Sequence, residues 1–332
     1  MIFTELVTLI MGISIVFYVI FGGADFGAGI IELFTGDSGN ETISKAIAPV
    51  WEANHIWLII AVVIMFNGFP EAYAVFSTAL HIPILIALIG IIFRGAAFTF
   101  RHYDAFKDGS EKWYSLIFRV SSIVTVLFLG ITVSAMFSGT IPTSVDVGFY
   151  AYFIAPWANL FSLFVGIFFT ILSAYIAAIF LLGEVKSEDG YNLIRKFSYR
   201  LFAAAVVCGL FIFASSYYQE LAFHEAFFKQ PISLACGVLA TVLVPFIFKL
   251  INGEKVWRTR LLAGIQITAI LIGWLMIQYP NLILFTDGST LSIYDASAPE
   301  ITMKILFGAL VFGVCSIFPS LYYLFRIFKI KI

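Results

Sequence analysis

Nine stretches of this chain run for close to 20 residues or more with hardly a charge inside them: 5–33, 51–69, 73–100, 114–138, 150–183, 197–218, 231–251, 260–279 and 301–326. An α-helix rises about 1.5 Å per residue, so about 20 apolar residues cross the hydrocarbon core of a bilayer. In hydrocarbon every backbone N–H and C=O must be bonded internally, and a helix achieves this within one segment. The runs predict an all-α, polytopic membrane protein with nine spans. Composition excludes the soluble alternative. Charged residues make up 12% of the chain and hydrophobic ones 61%, whereas a water-facing domain carries roughly 25% charged residues. The first apolar run has no basic segment before it and outlasts the core of a signal peptide, so it is expected to be the first span and not a cleaved leader.

The second and third runs are separated only by "NGFPEAY", where Gly68 and Pro70 are expected to end one helix and start the next. Lys and Arg set the orientation, because cytoplasmic loops collect them. Fifteen of the 19 fall in the odd-numbered connections and the C-terminal tail, among them Lys45, Arg101, Lys186, Lys249 and Lys331. The pattern predicts an N-out, C-in chain. The longest outer connections, about 139–155 and 280–300, are rich in Gly, Ser, Thr, Asp and Pro and lack Lys and Arg. No linker divides the sequence. The expected build is a four-helix bundle in 1–140, a second in 141–280, and an outer loop, ninth span and cytoplasmic tail in 281–332. The net charge of -1 says nothing about partners, and nothing points to nucleic acid.

Ionisable groups inside the runs carry the functional signal. Asp25 lies late in an inward-going first helix, Glu52 opens the second from the cytoplasmic side, His55 is one turn deeper, and Arg94 lies late in the third. All four fall in one depth band. A charge in hydrocarbon costs at least about 2.5 kcal/mol, so such groups pair or line a water path. Two readings stay open: an acid–arginine cluster that locks helices together, with Asn54 beside it, or a proton-uptake path. Glu52 and His55 share a helix face, as half of a di-iron site would, but no second Glu-x-x-His exists. The four histidines supply haem poorly, since His102 and His224 fall in loops; His81, just before Pro83, reads as bonded to a nearby carbonyl. Cys208, Cys236 and Cys315 lie scattered in apolar runs and suggest neither disulfide nor metal. "FGGADFGAG" follows no strand, so Gly23 and Gly27 read as a close-packing face and not a nucleotide loop. Trp51, Trp57, Trp113 and Trp257 sit near span ends, as interfacial tryptophans do. A proton-coupled secondary transporter remains the alternative class, although such a fold should place polar groups near the midplane.

"GADFGAG", "WEANHIWL", "FRGAAFTFR" and "YPNLILFTDGSTLSIYDASAP" occur in order along the whole chain, and together they resemble subunit II of the cytochrome bd-type quinol oxidases. The second and fourth motifs are specific; the first is weak alone. The resemblance implies nine helices, a bacterial or archaeal cytoplasmic membrane, and a haem-free chain. It implies a partner, subunit I, with two b-type haems and a haem d, oxidising quinol outside and reducing O2 to water. It leaves room for a small single-helix subunit and a structural quinone. Trp51, Glu52 and Asn54 match the family's Trp-acid-x-Asn motif, with Glu where Asp is more usual. The resemblance thus implies a proton path through Glu52, with Asp25 and His55, and a lipid or quinone seam at Trp51 and Trp57. Gly22 stands where an acid is common in the family, so a relay needing two acids on the first helix lacks one here.

Overall fold

The computed structural model describes residues 1–35, 51–103, 111–185 and 187–329. Among them, eight helices are long and apolar enough to cross a membrane, and nine if one bent pair counts as a span. The first span is α1 (Ile2–Phe17), a π turn (Tyr18–Gly22) and α2 (Gly23–Thr35). α3 (Trp51–Gly68), α4 (Pro70–Ala79), α5 (His81–Tyr103) and α6 (Glu111–Phe137) follow. After a short outer helix, α7 (Phe149–Phe153), come α8 (Leu160–Leu181), α9 (Glu188–Tyr218), α10 (Phe223–Lys229), α11 (Pro231–Asn252) and α12 (Val256–Gln278). A hairpin of β1 (Asn281–Leu284) and β2 (Thr290–Ser292) precedes the last span, α13 (Glu300–Lys329).

One expected boundary needs correction. The third span does not begin near residue 73. Residues 70–79 form a separate helix bent 115° from α3, and the span starts at His81. Two prolines cause this. Pro70 disfavours the helical region for the residue before it, and Phe69 sits at φ -133°, ψ 61°. Pro83 has no N–H for the carbonyl of Ala79, and the chain breaks at Leu80, φ -109°, ψ 18°. His81 Nδ1 lies 2.9 Å from the Thr78 carbonyl, inside that break.

The outer connections form a packed cap. In the hairpin turn Gly288 takes φ +82°, and Ser289 donates both N–H and hydroxyl to Asp287 Oδ1, which holds that carboxyl below its usual range. The Thr286 N–H donates to Ile141 O (3.0 Å), and the Ala298 N–H to Gly68 O (2.8 Å). Leu282, Ile283, Leu291 and Ile293 are buried against Val7, Ile64, Phe69 and Met303. The late outer motif is therefore a plug over α1, α3 and α13.

At the other end α8 is the central post. α2, α6, α9 and α12 all pack on it. Gly27 sets how close α2 can come: a Cβ there would overlap the Ser173 carbonyl oxygen and meet the Ala177 methyl group. Backbone cannot yield to such an intrusion as a flexible side chain can. Gly27→Val should cost about 1–3 kcal/mol or more through overpacking, read as a lower melting temperature of the solubilised protein. Gly12→Ala is the control, because a Cβ at Gly12 meets nothing within 4 Å, and should leave the melting temperature unchanged or slightly raised.

Candidate functional site

The first span is modified where its polar group enters. The π turn at Tyr18–Gly22 interrupts the α pattern just before Gly23 and Asp25; single π turns of this kind recur at functional sites. Beyond it, α2 lies against α6 as well as α8, because a Cβ on Gly29 would overlap the Ser122 hydroxyl. This contact puts Asp25 and Ser122 within reach of one long side chain from α5.

That side chain is Arg94. Its Nη1 donates to Asp25 Oδ2 at 2.9 Å and its Nη2 to Oδ1 at 2.7 Å, with a further bond from Nη2 to the Asp25 carbonyl at 2.9 Å. Nε donates to Ser122 Oγ at 3.0 Å, and that hydroxyl in turn donates to the Phe118 carbonyl at 2.7 Å. The guanidinium lies over the rings of Phe26 and Phe118, 4.7 and 4.8 Å from their centroids. Both charged side chains are 1% exposed. A bidentate arginine–carboxylate pair is among the strongest charge-assisted contacts, and the two ring faces add cation–π attraction. Three helices are pinned at one point.

A second ion-pair cluster lies two turns further along. Glu32 is fully buried, and its Oε1 accepts from Arg101 Nη1 at 2.7 Å and from Arg119 Nε at 3.0 Å. Arg101 stacks over Phe118 at 4.7 Å. Asp25 and Glu32 are seven residues apart, as are Arg94 and Arg101. On the N-out topology α2 and α5 run the same way, so equal spacing pairs them like rungs. Glu32 and the pairing of Arg101 and Arg119 with it escape the sequence reading. The matched spacing of seven was the available signal.

Of the four ionisable groups singled out in the sequence, three have described side chains. Asp25 and Arg94 meet, and His55 lies beside them, its ring 5.9 Å from Phe26 and 6.3 Å from Tyr18. Asn54 is buried. The side chains of Trp51 and Glu52 lie outside the described residues. Trp57 is 4% exposed, between Phe17 at 4.7 Å and Phe318 at 5.9 Å. Its ring therefore packs from α3 against α1 and α13. Trp113 and Trp257 are exposed at span ends. Cys208 is buried, Cys236 half-buried and Cys315 exposed; none forms a disulfide. Among the described residues no three His, Cys, Asp or Glu side chains converge on one point.

Known proteins share this arrangement of helices. The family model described as cytochrome bd terminal oxidase subunit II matches residues 3–328. Cytochrome bd ubiquinol oxidase subunit 2 of Bacillus subtilis is 25% identical over 289 residues, 86% of this chain and 83% of its own length. Cytochrome bd-I ubiquinol oxidase subunit 2 of Escherichia coli is 27% identical over 140 residues, 42% of this chain and 36% of its own. A chain in the structure of bd oxidase from Geobacillus thermodenitrificans superimposes with a TM-score of 0.80 at 20% identity, with 100% of both chains covered; that likeness shows the fold.

The buried pair makes a direct prediction. Arg94→Met strands the Asp25 carboxylate and should cost about 3–5 kcal/mol, whereas Asp25→Leu with Arg94→Met removes both charges and should recover most of that loss. Melting temperatures of the four proteins in a double-mutant cycle measure the coupling. Additive losses would mean that the pair does not bind the helices together.

Proposed function

The chain belongs to the cytochrome bd terminal oxidase subunit II family and so is a multi-pass membrane subunit of a quinol-oxidising oxidoreductase, and we propose that it holds the haem-bearing subunit I in place and brings it cytoplasmic protons. In this reading the chain binds no haem. Subunit I carries two b-type haems and haem d, takes electrons from quinol at the outer face, and reduces O2 to water. Protons consumed from the cytoplasm while quinol protons leave outside make turnover electrogenic without a pump.

The observation that carries the proposal is the one-sided placement of buried charge. Asp25–Arg94 and Glu32–Arg101–Arg119 both lie in the cytoplasmic half assigned by the positive-inside pattern, and the outer end is closed by an apolar plug. The buried ion pairs among the described residues lie on the charged side; the buried polar groups near the outer end, such as Thr4, Ser134 and Ser138, are uncharged. Glu52 is the group proposed to gain and lose the proton, at the mouth of α3. His55, one turn deeper, extends the route. Asp25, both of whose oxygens accept from Arg94, belongs to the same proposed route. Trp51 is proposed to line a seam with lipid or a quinone tail, and the two helix groups 1–140 and 141–280 to fold as bundles. The inner cell membrane, a small single-helix subunit and a structural quinone belong to the same reading.

The test uses the assembled complex. Glu52→Gln keeps shape and hydrogen bonding but cannot titrate. Quinol oxidase turnover per haem should fall about tenfold or more, with the haem spectrum and subunit ratio intact, and Glu52→Asp should retain partial turnover. Loss of assembly with unchanged turnover per haem would make Glu52 a structural residue. The native chain should also copurify with a haem-bearing partner. A chain that runs alone and moves a solute into liposomes along a pH gradient would instead be a transporter.

A further inference from the structure

Tyr18 is the least explained side chain near the proposed route. It opens the π turn, is 8% exposed, and its hydroxyl is buried without a hydrogen bond among the described residues. A buried hydroxyl without a partner is unfavourable, and native interiors rarely keep one. The chain had a simple way to avoid the cost. It uses 37 Phe, and Phe at position 18 would fill the same space with no polar atom. Three charged or titratable groups face this ring: His55 from α3, whose ring centroid is 6.3 Å away, and the Asp25 and Arg94 charges from α2 and α5, both of which act on the phenol. The Tyr18 and His55 rings lie in aromatic contact, tilted by 47°, and a water bound at the unpartnered hydroxyl would bridge it to the imidazole.

Gly22 fixes where the phenol sits. In the π turn it faces the Tyr18 ring, and a Cβ added there would lie 3.0 Å from Cε2 and 3.1 Å from Cδ2. Gly22 therefore allows this ring position, and a larger residue would force the phenol to shift from it.

We propose that the Tyr18 hydroxyl is a proton-path group, holding a water or hydronium oxygen against His55 beside the Asp25–Arg94 pair. The inference rests on the proton-supply reading above. The hop leaves the phenol uncharged: an O–H bond forms on Tyr18 Oη as one breaks on the incoming hydronium, which is left as water, while the original phenol O–H bond breaks toward the next acceptor, which takes up the positive charge. The phenol ends as it began, with its hydrogen turned. No redox partner is needed.

The test compares Tyr18→Phe, Gly22→Ala and the double variant in the assembled oxidase. Haem content, melting temperature, turnover and the solvent deuterium isotope effect on turnover are measured. Tyr18→Phe should lower turnover about tenfold at unchanged haem content, with a larger isotope effect and no gain in melting temperature. Gly22→Ala should lower turnover while keeping the hydroxyl, and should add nothing in the Tyr18→Phe background. Unchanged turnover with a raised melting temperature would show a dry, unused hydroxyl and overturn the proposal. Additive losses from Gly22→Ala and Tyr18→Phe would overturn it as well. Glu52→Gln, run alongside, separates the two levels. If it lowers turnover while Tyr18→Phe does not, only the Tyr18 assignment fails; if neither does, the proton-supply reading fails with it.

Discussion

An arginine cannot sit in hydrocarbon unless its charge is met, and the inner half of this protein is arranged around meeting one. Arg94 makes four hydrogen bonds with two partners, Asp25 and Ser122, and lies over two aromatic rings. Each contact demands something of another helix. Asp25 reaches Arg94 only if α2 lies close, and Gly27 and Gly29 allow that approach to α8 and α6. Phe118 and Ser122 are four residues apart on α6, one helical turn, so a single face supplies ring and hydroxyl together. Glu32 with Arg101 and Arg119 repeats the device near the membrane surface. A lone charge here would be a penalty; paired and laid over aromatic rings, it becomes a fastener between helices that hydrophobicity alone cannot order in lipid.

The two ends of the protein are built on different physics. Outside, the Asp287–Ser289 turn and the buried Leu and Ile residues around it make a plug held by backbone bonds to Ile141 and Gly68. Inside, helices are tied by ion pairs. The π turn at Tyr18–Gly22 lies where the first span passes from its apolar outer part to its charged inner part.

Much of this was legible in the sequence because membranes restrict the choices. Span number and the placing of Asp25 with Arg94 follow from length, hydropathy and depth. The separate helix Pro70–Ala79 was missed because hydropathy continues unbroken through Leu80; only Pro83, three residues into the next helix, marks the break. Glu32 was missed because an acid near a span end looks like an ordinary interfacial residue until its partners are seen. The packing of Trp57 was hidden for a related reason. A tryptophan near a span end suits the interface, but α13 returns over α1 and α3 and covers it with Phe318, a contact across most of the chain that no local pattern reveals. The hairpin was recognisable as a motif but not as a plug.

The sidedness of proton uptake tests the account most directly. The oxidase would be reconstituted in vesicles of known orientation, with a pH dye trapped inside and quinol supplied. The account expects protons to disappear from the side bearing the Lys- and Arg-rich loops, in step with O2 consumption. Uptake from the side bearing the 281–292 hairpin, at undiminished turnover, would contradict it.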